Sequence, residues 1–537
     1  MSSAAAACGD ATRLFSTRAV LLRLLGLVHL IAFGSLWLQV DGLVSSRGIL
    51  PVAPWLERVD AIVEGAAWLR APTLLWLWSD DAALHFLCAI GVLCALAVMA
   101  GVATFWMLAI LWVGYLSLAV AGQTFLQFQW DALLLETTLC ALFLVPFAWR
   151  PGVGLGGAAP DPRPGIWLLR VLLFKLMFLS GAVKLLSLDE TWLDGSALEY
   201  HYWTQPLPLA SSWFVHHLPA WTHRLSSWTM LAIELVVPFL IFAPGRARLV
   251  AAAVFVAFQA LIVATGNYGF FNLLALVLCV SLLDDGALRL ARRRPAAKPN
   301  GRQPTRRPWL RWALAVIVLS LSFVVSVREL VYTVPRQELR PDNTWGPAVL
   351  ETAEGLVLEP TAELLEWIAP FRSISGYGLF RVMTTSRPEI AVEVSDDGAS
   401  WRELAFRFKP GDPARRPRWA TPHMPRLDWQ MWFAALAPRQ AGWLQPFTQR
   451  LLEGEPAVWR LVGEDLPTTG PPRFLRLAYH GYRFTTRAER RESGAWWRRE
   501  RLGELTGPLQ IEAPAPPAEA RPARRSAPRR QSTGSVG

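Results

Sequence analysis

The chain has 537 residues, 53% of them hydrophobic and 18% charged, with a net charge of +11 and a mean hydropathy of +0.29. A water-soluble protein of this length carries about a quarter of its residues as charges, so the composition excludes a wholly soluble fold. The 27 tryptophans against 8 tyrosines suit a protein with many membrane–water interfaces.

The five cysteines are Cys8, Cys88, Cys94, Cys140 and Cys279, and none lies further along the chain. The C-terminal half therefore has no disulfide to form, and no CxxC or Cys/His spacing suggests a metal. The N-terminus runs from a short polar stretch into a long apolar one with no small-residue cleavage site, which reads as an uncleaved first span.

A membrane helix needs about 20 mostly apolar residues. Nine stretches approach this, beginning near Ala19, Asp81, Ala103, Phe128, Ile166, Ser227, Leu249, Gly269 and Trp309. The third, ATFWMLAILWVGYLSLAVA, is the clearest; the second and eighth are weaker, leaving eight or seven crossings open. Basic residues orient the array. Arg13 and Arg18 precede the first span, Arg150 and Arg163 lie between the fourth and fifth, and Arg246 and Arg248 between the sixth and seventh. The run RLARRRPAAKPNGRQPTRRPWLR (289–311) separates the eighth from the ninth. With nine spans all of these share one side. The opposite loops are poorer in basic residues, except 41–71, where Arg47, Arg58 and Arg70 are offset by acids. The positive charge is thus largely a topology signal, and nucleic acid is not needed to explain it.

These patterns predict a cytoplasmic tail (1–18), a polytopic α-helical membrane domain of about nine spans (19–327), a soluble β-rich α+β domain outside the cytoplasm (328–510) and a disordered Pro/Ala/Arg-rich tail (511–537). In the soluble part EIAVEVS (389–395) alternates, DDG follows, and WRELAFRF puts Leu404, Phe406 and Phe408 on one face, a hairpin pattern. RFLRLAYHGYRFTT (473–486) reads as strand, while WQMWFAALAP and WLQPFTQRLLEG read as helices. Trp429, Trp432 and Phe433 have the spacing of a helical core face.

Ionisable residues sit inside the spans: Arg23, His29, Asp131, Glu136, Lys175, Lys184 and Glu234. A charge at the bilayer centre costs about 2.5–3.5 kcal/mol on insertion scales, so each needs a partner or a wet cavity. Lys175 lies mid-span and predicts pairing with Asp131, Glu136 or Glu234. Lys184 lies near the outer end, where it can snorkel.

Several polar and aromatic residues converge on that outer region. Trp130, Asp131 and Glu136 come from the fourth span and Lys184 from the fifth. The following loop supplies Glu199, His201 and Tyr202, and TGNYGFFN supplies Asn267, Tyr268 and Asn272. Convergent polar groups in an apolar wall make a candidate pocket. The alternative is structural: Trp, Tyr and His at helix ends, including His216, His217 and His223, are ordinary interfacial anchors, and Asn267 or Asn272 can cap helices. No HExxH, GxSxG elbow or Walker loop occurs. No inverted repeat suggests a transporter.

QFQWDALLLE (127–136), LLRVLLFKLMFLSGAVKLLSLDETW (168–192), LEYHYWTQPLP (198–208), HHLPAW (216–221), IELVVPFLIFAP (233–244) and TGNYGFFNLL (265–274) resemble the lipase maturation factor family. So do YGLFRVMTTSRPEI (377–390), EVSDDGASW (393–401) and PHMPRLDWQMWFAAL (422–436), and the resemblance runs from about 13 to 507. It implies a multi-pass endoplasmic reticulum protein that helps secreted homodimeric lipases, such as lipoprotein lipase, reach their active fold. It also implies that the C-terminal domain engages the client in the lumen, within 328–510. That domain has no cysteine and no Asn-x-Ser/Thr sequon, and the Ala/Arg/Pro-heavy composition looks bacterial. In a bacterium the cytoplasmic (inner) membrane and the periplasm would take those places.

FLSGAVKLLSLDETWLDGSAL (178–198) is also similar to the segment bearing the active-site lysine of vitamin K-dependent gamma-carboxylases. That similarity would make Lys184 a base acting on a quinone or lipid, with His201 and Glu199 as orienting groups. The leading expectation is a non-catalytic maturation factor with no cofactor or metal, whose partners are exported clients and membrane lipids and not nucleic acid.

Overall fold

In hydrocarbon an apolar run must close its backbone hydrogen bonds within itself, so the long runs become helices. The computed structural model describes residues 15–63, 65–146, 161–284, 287, 308–336, 345–468 and 470–510. The first helices are α1 (Phe15–Trp37), α2 (Asp81–Ala100), α3 (Thr104–Ala121), α4 (Gln129–Leu142) and α5 (Arg163–Leu186). They are followed by α6 (Ala220–Leu235, continued by a 3₁₀ stretch Val237–Phe242), α7 (Arg246–Thr265), α8 (Phe271–Val280) and α9 (Pro308–Thr333). Local chemistry sets the ends: Asp80 caps α2 by accepting from the Ala83 amide at 3.0 Å, and Gly101, at φ 77°, closes it.

Among the described residues seven helices are long and apolar enough to cross a membrane, where nine stretches approached that length in the sequence. The stretches expected to span from Phe128 and Gly269 are the shorter α4 and α8, of 14 and 10 residues. At 1.5 Å per residue they reach only about 21 and 15 Å. Both are enclosed by neighbouring helices, so protein rather than lipid satisfies them and their length need not match the bilayer.

Both nevertheless carry the chain from one end of the bundle to the other. At one end Thr17 Oγ1 donates to Leu283 O (3.4 Å), Arg170 Nε to Ser281 O (3.0 Å) and Arg248 Nε to Leu282 O (2.9 Å). Arg311 Nη2 donates to Phe143 O there as well. At the other end Gln123 Nε2 donates to Leu50 O (3.0 Å) and the Asn267 amide to Leu207 O (3.3 Å).

The C-terminal region seats on this second end. It holds α10 (Trp345–Ala353), a π-turn (Glu354–Leu358) and α11 (Glu359–Ile368), none of which the sequence pattern had suggested. An antiparallel sheet of order β2-β1-β3-β4 follows, built from β1 (Pro388–Ser395), β2 (Arg402–Glu403), β3 (Phe474–Phe484) and β4 (Trp497–Leu509). Helices α12 (Arg426–Leu436), α13 (Leu444–Leu452) and α14 (Pro456–Val462) are inserted between β2 and β3, and α15 (Arg487–Ser493) precedes β4.

The predicted hairpin forms, but β2 stops early. Leu404 N–H still donates to Val392 O of β1 (2.8 Å), but beyond it side chains take the amides: Ala405 N–H by Glu464 (2.6 Å), and Phe408 and Lys409 N–H by Asp428 (3.0 and 2.8 Å). Glu389 and Glu393 on β1 are also not solvated. Glu389 is buried between Arg387 (2.8 Å) and Lys409 (3.1 Å), and Glu393 pairs with Arg476 (2.6 Å).

One continuous hydrophobic core joins the two regions, running from Leu25 and Phe125 to Ile390, Phe447 and Trp459. At Gly42 the chain comes so close to α14 that a Cβ would lie 2.6 Å from the Ala457 carbonyl oxygen. The C-terminal region is therefore packed into the helices and not tethered beside them. The expected tail 511–537, most of the expected N-terminal tail and most of the basic run 289–311 lie outside the described residues.

Candidate functional site

Five of the seven intramembrane ionisable residues fall into three ion pairs, while Arg23 Nε donates to Met99 O (3.3 Å) and His29 Nε2 lies 2.7 Å from Thr138 Oγ1. Asp131, at the start of α4, meets Arg426 at the start of α12, with Nη2–Oδ1 at 2.8 Å and Nη1–Oδ2 at 3.0 Å. The Tyr115 hydroxyl donates to the same carboxylate at 2.6 Å. Two parallel N–H···O bonds between a planar guanidinium and a carboxylate make the strongest side-chain pair available. One turn further along α4, Glu136 pairs with Lys175 and accepts from the Tyr377 hydroxyl (2.7 Å) and the Ser375 amide (3.2 Å). Both carboxylates are thus completed by residues of the C-terminal region, Arg426 and Tyr377. The third pair stays within the bundle: Lys184 Nζ lies 2.8 and 3.0 Å from the two oxygens of Glu234 and donates to Ser180 O at 2.9 Å.

Lys175 has the partner expected of it. Lys184 is buried, 5.4 Å from the Trp192 ring centroid, and does not snorkel. The reason is that α6 places Glu234 opposite it, where Gly181 permits close approach: a Cβ there would lie 2.8 Å from that of Glu234.

Around Lys184 lies a cavity of about 100 Å³ whose polar lining includes Lys184, Glu234, His201, Gln259, Tyr268 and Asn272, with apolar walls from Trp192, Met230, Phe271 and Phe380. Its hydrogen bonds assign one another. Gln205 Nε2 donates to Thr265 O (2.8 Å), so its Oε1 accepts from the Tyr268 hydroxyl (2.9 Å). The Tyr268 oxygen then accepts from His201 Nε2–H at 3.3 Å. Burial, with the Lys184 ammonium adding to it, pushes His201 down to about 4, so the imidazole is neutral at pH 7. Asn272 donates to Gln259 Oε1 (2.8 Å), while its buried Oδ1 has no donor among the described residues.

Of the ten residues expected to converge, Lys184, His201, Tyr268 and Asn272 line this cavity. Asp131 and Glu136 serve the ion pairs instead. Trp130 is stacked on Phe128 at 4.4 Å, Tyr202 packs against His223 at 5.6 Å, and Glu199 turns to Arg224 at 3.5 Å. Asn267 is a clamp: its Nδ2 donates to Leu207 O and Arg418 O (3.2 and 2.9 Å), and its Oδ1 accepts from the Ala420 amide (2.8 Å). Glu234, Gln259 and Trp192 belong to the cavity wall but were not among the ten candidates, and Arg426 and Tyr377 complete the pairs from more than 240 residues away. A buried acid obliges a partner, which is the signal for Glu234. The arginine in PHMPRLDW and the tyrosine in YGLF carry no local sign of their destination.

The cavity can hold a small polar occupant against a neutral imidazole and a phenol. A base needs a free lone pair, and the Lys184 ammonium has all three donors engaged. Among the described residues no cluster of three His, Cys, Asp or Glu could bind a metal ion.

The family model for the lipase maturation factor transmembrane domain matches residues 16–290, and that for the lipase maturation factor C-terminal domain matches 373–507. The chain is 34% identical to lipase maturation factor 2 of Homo sapiens, over 91% of this chain and 82% of that protein. It is 33% identical to lipase maturation factor 2 of Rattus norvegicus over the same shares. It is 31% identical to lipase maturation factor 1 of Mus musculus, over 92% of this chain and 87% of that protein. No solved structure matches the chain.

Proposed function

Because the chain belongs to the lipase maturation factor family, we propose that this multi-pass membrane protein matures exported lipases or similar clients through its C-terminal region. In a secretory-pathway host the membrane is that of the endoplasmic reticulum; in a bacterium it is the cytoplasmic membrane. The reading rests on one observation above all: the C-terminal region is fixed to the bundle end opposite Thr17 and Arg311 by the buried Arg426–Asp131 ion pair and the Tyr377–Glu136 hydrogen bond. The basic residues near the Thr17 end favour a cytoplasmic position for it, and in that orientation the sheet and α12–α15 face newly exported chains. The role is chaperone-like and non-catalytic. The test is expression with a secreted lipase in cells lacking their own maturation factor. Restored lipase activity is expected, and an inserted, folded protein that restores none overturns the reading.

A second reading, a gamma-carboxylase-like enzyme with Lys184 as base and a quinone or lipid as ligand, draws support from the burial of Lys184 beside His201 and Tyr268. Against it stand the Lys184–Glu234 pair, the outward-turned Glu199 and a free volume of about 100 Å³, where sites for drug-sized ligands take about 300–1,000 Å³. Replacing the pair together, K184M with E234L, separates the readings, since an uncharged pair of similar volume preserves a structural role. Retained client maturation supports the structural role; loss at normal abundance and unfolding temperature supports the enzyme.

A further inference from the structure

A second, larger cavity of about 490 Å³ lies away from Lys184, between the end of α9, α11 and the segment 372–381. Its lining combines Arg328, Arg372 and Arg381 with apolar Phe128, Val325 and Ile368. Glu329 is the only carboxylate lining it among the described residues. Among the described residues none of the three guanidinium groups forms an ion pair, and three arginines against one carboxylate leave the lining with an excess of about two positive charges. Arg372 is held in place by donating to Ala119 O (2.8 Å) and Leu126 O (3.1 Å). Arg328 and Arg381 are exposed.

Position gives this charge its meaning. Arg328 stands 19 residues past Trp309 on α9, about 28 Å along the helix at 1.5 Å per residue. That is nearly the thickness of a hydrocarbon core, about 30 Å, so the arginines sit at head-group depth. Only 11% of the apolar window of α9 is buried, and Leu314, Ile317, Phe323 and Tyr332 are exposed along it. Beyond the cavity α11 presents Leu364 and Trp367 outward, with Trp367 beneath Arg70 at 5.2 Å. An amphipathic helix carrying Trp and Leu on its open face is the form that lies along a membrane surface.

We propose that this cavity binds the phosphate of an anionic phospholipid from the leaflet facing the C-terminal region. Arg328, Arg372 and Arg381 surround the phosphate, and the acyl chains run down the open face of α9. Guanidinium groups match phosphate oxygens in planar, bidentate fashion, and Glu329 restrains affinity by repulsion. The bound lipid bridges α9 to the start of the C-terminal region.

The full-length protein is placed in lipid nanodiscs containing phosphatidylglycerol and phosphatidylcholine, and the retained lipids are counted by native mass spectrometry. Each arginine near an anionic surface contributes about fivefold, so the wild type is expected to prefer phosphatidylglycerol by about tenfold or more. R328A/R381A is expected to reduce the preference to about twofold or less. Among the described residues neither side chain has an ion-pair partner to lose, and E329Q, nearly isosteric, is expected to raise the preference, an outcome misfolding does not produce. Equal retention of the two lipids by the wild type, or a preference untouched by R328A/R381A, overturns the proposal. Displacement of the lipid by millimolar inorganic phosphate, with no dependence on acyl chains, assigns the site to a soluble phosphate and overturns it too.

Discussion

Arg426 and Asp131 are 295 positions apart in sequence, and Arg426 donates two hydrogen bonds to the two oxygens of the Asp131 carboxylate, at 2.8 and 3.0 Å, with both side chains about 1% exposed. The pair ties the first turn of α12 to the first turn of α4. Neither charge is sheltered without the other, so membrane bundle and C-terminal region depend on each other for burial of their polar groups.

Arg426→Ala leaves the Asp131 carboxylate buried with only Tyr115 as donor. Breaking a buried pair by removing one partner costs about 3–5 kcal/mol, whereas replacing both by apolar groups of similar size is near neutral. Thermal unfolding in detergent is expected to show a large loss for R426A and a smaller one for D131L/R426M. Equal loss in both variants would mean that packing, and not charge, holds the contact.

Tyr377→Phe removes one donor from the Glu136–Lys175 pair and keeps the ring. The expected cost is about 1–3 kcal/mol, the range for leaving a buried acceptor short of a donor. Lys175→Met is expected to cost more, since it leaves Glu136 charged and without its cation. Denaturant unfolding of the two variants ranks them, and a larger effect for Y377F would contradict the assignment of Lys175 as counter-ion.

Truncation after α9 is expected to lower the amount of inserted, monodisperse bundle. It strips Asp131 of Arg426, and Glu136 of Tyr377 and the Ser375 amide, at once. Comparing abundance and unfolding temperature of the truncated and full chains tests this. A truncated bundle as stable as the whole protein would show the C-terminal region to be an independent domain.

Stability is expected to fall as pH drops from 6.5 towards 4. His423, His480, His201 and His216 are each pushed down to about 4, chiefly by burial, from an ordinary value near 6.5. In that window the unfolded chain binds protons that the folded one refuses, so protons favour unfolding. His423 illustrates the cause: burial disfavours charging its ring, and the Arg426 and Arg407 guanidinium groups nearby add to that cost. Asp428 acts in the opposite sense. Burial pushes it up to about 6, and its protonation in the folded state adds stability as pH falls from 6 to its ordinary value near 4. Four imidazoles outweigh one carboxyl. Unfolding temperature measured from pH 7 to 4.5 is expected to decline, with less decline in H423N; a flat profile would exclude the buried neutral imidazoles.

Much of the architecture was legible in one dimension because hydrocarbon imposes a local rule. A helix that must satisfy its own backbone announces itself by length and apolarity, as the ATFWMLAILWVGYLSLAVA helix does. Period-two alternation likewise revealed β1 and β3. β4, WRRERLGELTGPL, escaped because an exposed edge strand needs no apolar face and gains from charge. The amphipathic α10 and α11 were hidden by Pro347, Gly355 and Pro360, which read as breakers.

The sequence by itself determined that charges would be buried in the bundle and would require partners, since the cost of an unpaired charge in hydrocarbon depends only on residue type and depth. Tertiary structure alone decided which partners: Glu234 for Lys184, and for Asp131 and Glu136 residues delivered from the far end of the chain. Such pairings follow from where helices and loops pack against each other. No local pattern around Arg426 or Tyr377 encodes that contact, which exists only once the two regions have folded as one.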